Sequence, residues 1–153
     1  LINLADYPMP LFNEDEEASN GMPEGALAFK QLLLSHDAFI IASPEYNSSY
    51  PALLKNAIDW ASRMGEGEKP LQAFRGKAVS IMAASAGALG GMRVLVVLKM
   101  LLGNIGMHVL PNQRAIGKVN TLVDENGDLV DEKTIKQIHK AAAELVDMAN
   151  RLK

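Results

Sequence analysis

The residues of this chain best placed to do chemistry stand in two short stretches, Ser43-Pro44-Glu45-Tyr46-Asn47 and Ser85-Ala86-Gly87-Ala88-Leu89-Gly90-Gly91. The first joins free backbone amides, short polar side chains and one aromatic ring, a set that suits a planar ligand with a polar edge. The second carries glycines among small side chains, which lets a backbone approach a ligand closely. Each also has a plainer reading, the first as an ordinary βα connection with a proline stop, the second as a flexible hinge. Glu45 is a candidate general base, although a loop carboxylate is ordinarily only solvated. Tyr46 can stack on a ring or pack against the helix that follows. Other catalytic sets are missing. His36, His108 and His139 stand far apart without ligand-like spacing, so no metal site is expected. No Gly-x-Ser-x-Gly precedes a helix and there is no P-loop. Asp124-Glu125-Asn126-Gly127-Asp128 marks a tight turn, too short for a calcium loop.

These stretches need elements to hold them. Ala38, Phe39, Ile40, Ile41 and Ala42 form a continuous apolar run, expected to be a strand buried on both faces of a parallel sheet. Pro44 stops it, because proline gives no N–H to a ladder. Pro51 suits the first turn of a helix, in which Leu53, Leu54, Ala57, Ile58 and Ala61 recur at helical spacing and Lys55, Asn56 and Asp59 turn away. Residues 77–84 make a second buried strand, and the glycine-rich stretch follows it. Loops leaving the carboxyl ends of such strands are where open α/β sheets place their ligands.

Before this core, residues 1–4 read as a short strand and 5–22 as an irregular connection whose acidic run is a solvated face. Pro23 and Glu24 open a helix to about Ser35 that buries Leu27, Leu32, Leu33 and Leu34. After it, residues 92–105 form a helix apolar over most of its circumference. Such a helix is buried all round, so one face needs a partner beyond the sheet, and an oligomer contact there and in part of 51–63 is expected. Gly106 ends this helix, and residues 107–110 form a strand ended by Pro111. Residues 112–130 read as irregular. Asp131 caps a last helix whose inner stripe is Ile135, Ile138, Ala142, Leu145, Val146 and Met148 or Ala149. The alternation indicates a three-layer α/β/α sandwich with a parallel sheet.

The 153 residues fit one domain, 1–153. A net charge of −3 without basic clusters gives no footprint for nucleic acid. The absence of cysteine excludes disulfides, thiol catalysis and iron–sulfur clusters, and fits a cytoplasmic location. No apolar run is long enough to span a membrane.

Ser43-Pro44-Glu45-Tyr46-Asn47, followed by Pro51 and by Leu54-Lys55-Asn56-Ala57-Ile58-Asp59-Trp60, resembles the NADPH-dependent FMN reductase family, a flavodoxin-like group of FMN, quinone and chromate reductases. The resemblance implies that Pro44, Glu45, Tyr46 and Asn47 lie along the isoalloxazine ring of FMN, largely through backbone groups. It implies that Ala84, Ser85, Ala86, Gly87 and Gly90 flank the same flavin. NADPH or NADH would deliver hydride to FMN and leave before a small acceptor takes the electrons; the apolar helix at 92–105 separately points to a homodimer or homotetramer. The flavin carries the redox chemistry, so no acid–base set is required of the protein.

The resemblance departs at the start. Family members open with a strand, a phosphate loop and a helix that find no counterpart here, so the chain reads as N-terminally truncated. Residues 1–4 are then expected to be displaced or to pair with 38–42, and FMN to bind weakly. A non-catalytic FMN electron carrier and a flavin-free oligomerisation module are the alternatives.

Overall fold

The computed structural model describes residues 1–153, which divide into two compact units. One unit comprises residues 1–36 and 52–75, the other 37–51 and 76–153.

The first unit is helical: α1 (Glu14–Asn20), α2 (Glu24–Leu34) and α3 (Ala52–Ser62). The expected strand at 1–4 does not form. Asn3 accepts a bond from the Ala5 amide at 3.1 Å and caps a 3-10 turn at Leu4–Asp6, so its side chain bonds the backbone where a ladder would otherwise have to. Residues 5–22 are not wholly irregular either. Asn13 caps α1 through the Asp15 amide at 2.8 Å, and four acids in the first turn suit the helix dipole. The acidic run is more than a solvated face, because Glu17 pairs with Arg63 at 2.8 Å.

On α2 the buried residues are Ala26, Phe29, Lys30 and Leu33, while Leu27 is 46% exposed. The stripe follows helical spacing from Ala26, which the run of leucines disguises. On α3, Asn56 is buried rather than turned out. Its side chain accepts from the Phe12 amide at 2.8 Å and donates to the Pro10 carbonyl at 2.9 Å. Trp60 Nε1 donates to the same carbonyl at 2.8 Å, and its ring meets Phe12 edge-on at 5.0 Å. Two prolines and an aromatic before α1 thus become an anchored strap, with polar tips satisfied as burial requires.

The second unit holds β1 (Ala38–Ala42), β2 (Ala78–Ala84), α4 (Met92–Asn104), β3 (His108–Val109), β4 (Arg114–Ile116) and α5 (Glu132–Arg151). All pairings are parallel. β1 runs beside β2 with Ala38 opposite Ala78 and Ala42 opposite Met82. β3 and then β4 share the other side of β2. β4 was not expected, since a three-residue strand after Pro111 gives little periodicity. β2 is buried along its length up to Ala83. β1 is not buried on both faces: it is an edge, Ile40 is 49% exposed and Ala42 is exposed as well. Residues 1–4 do not pair with it.

Successive residues of β2 face opposite ways. A side chain at Gly91, at the head of α4, would meet the Ala83 Cβ, whereas Leu145 of α5 packs with Ala78 and Leu110. The two helices therefore cover opposite faces, giving helix, sheet and helix in this unit. α4 buries Val94, Leu95, Leu98 and Leu102 but leaves Met92, Val96 and Met100 exposed, so within the chain it is not buried all round. The inner stripe of α5 is Thr134, Ala141 and Leu145; Val146 faces out. Asp131 caps this helix through the Thr134 amide at 2.8 Å.

Candidate functional site

Both chemistry-bearing stretches leave the carboxyl ends of neighbouring parallel strands in the second unit. The Ser43 amide donates to the Met82 carbonyl at 2.9 Å, extending the ladder by one residue before Pro44 ends it. Tyr46 and Ser49 then exchange two backbone bonds, at 2.9 and 3.0 Å. Between them Asn47 and Ser48 have φ of 51° and 67°, the geometry of a two-residue turn of type I′. Asparagine is among the few side chains that adopt this region readily. The turn leaves the Tyr46 ring 61% exposed at the rim.

Glu45 is neither a freely solvated carboxylate nor an idle base. Its Oε2 accepts from the Arg93 amide at 2.9 Å and the Val94 amide at 3.1 Å. These belong to the first turn of α4, whose N-cap is Gly91 with no side chain to offer. Arg93 Nη1 adds a 3.5 Å contact to Oε1. Glu45 thus ties the first loop to the helix that follows the second. Periodicity could not reveal this, because the partners lie 48 residues apart.

The second loop is fastened to the exit of β4. The Ser85 amide donates to the Ile116 carbonyl at 3.0 Å, the Lys118 amide to Gly87 at 3.0 Å, and the Val119 amide to Ser85 at 3.1 Å. Gly90 has φ of 61°, and a Cβ there would sit 2.5 Å from the Gly117 nitrogen. A Cβ on Gly117 would collide with the Ala88 carbonyl. The fold itself therefore explains Gly90. Gly87 is different, since a Cβ there would meet nothing closer than the Ser85 Oγ at 3.7 Å. Gly117 was not expected to matter, and Gly91, expected only as part of the glycine-rich stretch, is the N-cap of α4. The signal for Gly117 was an apolar pair closed by glycine, Ala115-Ile116-Gly117, within a segment read as irregular.

The structure thus brings Pro44, Glu45, Tyr46 and Asn47 to the same end of one sheet as Ala84, Ser85, Ala86, Gly87 and Gly90. Pro44, Tyr46, Asn47, Ala84, Ala86 and Gly87 are exposed. The amides of Glu45, Asn47, Ala86, Gly87 and Ala88 donate to no acceptor in the chain. Such a rim fits a flat ligand with acceptors along its edge. A separate open groove of about 740 Å³ runs along α5, lined by Val130, Asp131, Glu132, Lys133, Lys136, Gln137 and Lys140. None of the loop residues lines it, and Lys136 and Lys140 lean on Glu132 and Glu144 of their own helix. It offers no converging polar set.

Comparison with known proteins bears on the fold and the family. An NAD(P)H-dependent FMN reductase of Pseudomonas aeruginosa, PA1204, is 37% identical over 99% of this chain and 80% of its own length. A quinone reductase of Escherichia coli is 33% identical over 90% of this chain and 71% of its own. Among solved structures, FerB of Paracoccus denitrificans, a flavoenzyme NAD(P)H:(acceptor) oxidoreductase, superposes with a TM-score of 0.80 at 30% identity, over 97% of this chain and 78% of its own. The parallel sheet with flanking helices is accordingly of flavodoxin-like type. The pattern of one family, the NADPH-dependent FMN reductases, matches residues 1–121, which include both loops and the β4 exit that fastens them, and it is to this family that the chain belongs.

Proposed function

We propose that FMN lies across the carboxyl ends of β1 and β2, between Pro44, Glu45, Tyr46 and Asn47 on one loop and Ala84, Ser85, Ala86, Gly87 and Gly90 on the other. The observation that carries this reading is the set of unpaired amides on both loops at one exposed sheet end. Membership of the family makes the chain a flavin-dependent oxidoreductase, with FMN as cofactor and NAD(P)H as electron donor. FMN, when bound, supplies the hydride chemistry itself. The chain positions it and adjusts its electrostatics. The amides of Ala86, Gly87 and Ala88 would donate to the acceptor edge of the ring, where fixed dipoles favour developing negative charge without reorganising. Glu45 acts through α4, holding the two loops in register. Tyr46 would shield one side of the ring from water.

The acceptor in this reading is a small quinone or flavin, as the quinone reductase relative suggests. No helix is long and apolar enough to cross a membrane. A cytoplasmic location fits a cysteine-free chain that draws on NAD(P)H. The 153 residues act in this proposal as one reductase domain. The test is to titrate FMN by quenching of its fluorescence and then to follow NADPH oxidation with and without a quinone. Saturable quenching with quinone-dependent oxidation is the expected result. Quenching without oxidation would indicate an electron carrier instead.

The proposal includes a homodimer or homotetramer, built on α4. Met92, Val96 and Met100 stand at successive i, i+4 positions and are exposed, Val96 by 66%. An apolar stripe of this kind is normally covered. Val96→Glu should convert the parent assembly to monomers by light scattering, because an unpaired carboxylate in an apolar contact is strongly disfavoured. A parent chain that is itself monomeric would remove the basis for the contact.

A further inference from the structure

Only two buried polar side-chain atoms of the chain lack a hydrogen-bond partner, Arg114 Nε and Ser80 Oγ. They lie on one face of the sheet, on adjacent strands. Arg114 is opposite Met82 in the β4–β2 register, and Ser80 is two residues before Met82 on the same face. Arg114 is half-buried, and its side chain makes no ion pair with any Asp or Glu of the chain. A guanidinium carries five donors and stays charged, so holding one partly out of water without an acceptor is costly. Structural arginines are held in place by partners, as Arg63 is by Glu17. Arg114 has none.

Its location adds to this. Arg114 begins β4, whose exit at Gly117 packs on the loop of residues 85–91. Three residues of strand separate it from that exit, about 10 Å. Lys118, at the corner beyond, is exposed with φ of 52° and makes no ion pair. The nearest alternative anion seat is already taken, because Glu45 occupies the first-turn amides of α4. Among the cations near this end of the sheet, Arg93 faces Glu45 at 3.5 Å, whereas Arg114, on the face of the sheet that α5 covers, and Lys118, at the exit of β4, face no acid.

We propose that Arg114, assisted by Lys118, is a recognition point for the 2′-phosphate of NADPH, and so a specificity-determining residue for the electron donor. A dinucleotide carries this phosphate well away from the transferred hydride, which matches a cation displaced from the loops rather than within them. The planar fork of arginine suits a phosphate in two-pronged fashion, and an arginine is a common means of accommodating this phosphate in dinucleotide sites. The assignment depends on the flavin lying on the two loops only for the choice of NADPH as ligand.

The test uses Arg114→Gln and Arg114→Lys in the full chain. The first readout needs neither flavin nor nicotinamide: the thermal midpoint in inorganic phosphate against chloride at equal ionic strength. Phosphate should raise the midpoint of the parent and not that of Arg114→Gln. In chloride Arg114→Gln should melt at or above the parental temperature, since it removes an unpaired charge. The second readout is kinetic. In the FMN-loaded enzyme, KM for NADPH should rise roughly ten- to hundredfold in Arg114→Gln, the range for a lost hydrogen bond to a charged group. KM for NADH should be unchanged, and Arg114→Lys should fall between. Equal KM for NADPH in parent and Arg114→Gln would overturn the proposal. So would an equal rise for NADPH and NADH, or a marked loss of stability in chloride, which would make Arg114 structural. FMN quenching, measured separately, tells a failure of the flavin reading from a failure of this one.

Discussion

Replacing Lys30 with methionine is expected to lower stability by about 3 kcal/mol, and with alanine by up to about 5 kcal/mol. Lys30 is 2% exposed, yet its Nζ donates to the Arg63 carbonyl at 2.6 Å and pairs with the Glu68 carboxylate. The ammonium thus joins α2 to the chain leaving α3. Methionine keeps the aliphatic stem but leaves Glu68 and the carbonyl without their donor. Breaking one side of a buried pair costs more than the pair itself contributes. Circular-dichroism melts should show a fall of roughly 6–12 °C for Lys30→Met, taking 2–4 °C per kcal/mol for a chain of this size. Glu68→Leu added to Lys30→Met should recover much of it.

The acid limb carries a second signature. Glu68 titrates below the ordinary glutamate range, chiefly because Lys30 donates to it, and further because the Gly65 amide does. Its contribution is therefore fully present above the unfolded-state pKa and is lost as pH falls through the lower folded value. Lys30→Met should flatten that part of the profile. Parental stability in Lys30→Met would show the pair to be inconsequential.

Alanine at Gly90 is expected to cost about 2–4 kcal/mol, combining a left-handed backbone with a direct collision. Its Cβ would sit 2.5 Å from the Gly117 nitrogen and 2.7 Å from the Ile116 nitrogen, both backbone atoms that cannot swing aside. Relief requires the loop of 85–91 to part from β4, breaking the bonds from the Ser85, Lys118 and Val119 amides. The change should therefore lower the midpoint and abolish FMN quenching together, and Gly117→Ala should do the same from the other side. Gly90→Ala with parental melting would mean that the loop is not fastened as described.

Much of this was legible in the chain, for reasons particular residues make clear. β2 announced itself because a strand buried almost throughout is apolar at nearly every position, Ser80 alone excepted. The loop after β1 was marked by Pro44 and Pro51, whose backbone preferences are local, although the tight turn at 46–49 within it was not foreseen. The family emerged from the ordered string running from Ser43 to Trp60. What stayed hidden is non-local. Asn56 looked outward until the Pro10 carbonyl and Phe12 amide appeared beside it. Glu45 looked solvated because its partners lie on α4. Ile40 looked buried because a run of apolar residues does not say whether its strand is central or an edge. The strand expected at 1–4 yielded to a cap by Asn3, a local bond that a count of apolar residues does not register.

Everything proposed for the chemistry depends on FMN lying on the loops at the ends of β1 and β2. The measurement that tests it most directly is FMN titration of the parent and of Gly87→Val, each checked by circular dichroism and thermal melting. At Gly87 a Cβ meets nothing closer than the Ser85 Oγ at 3.7 Å and the residue is exposed, so valine should leave fold and midpoint near parental values. It should nevertheless stand where the ring must lie. The expected result is saturable quenching by the parent and little or none by a folded Gly87→Val. Parental FMN affinity in Gly87→Val, or no quenching by the parent, would contradict it.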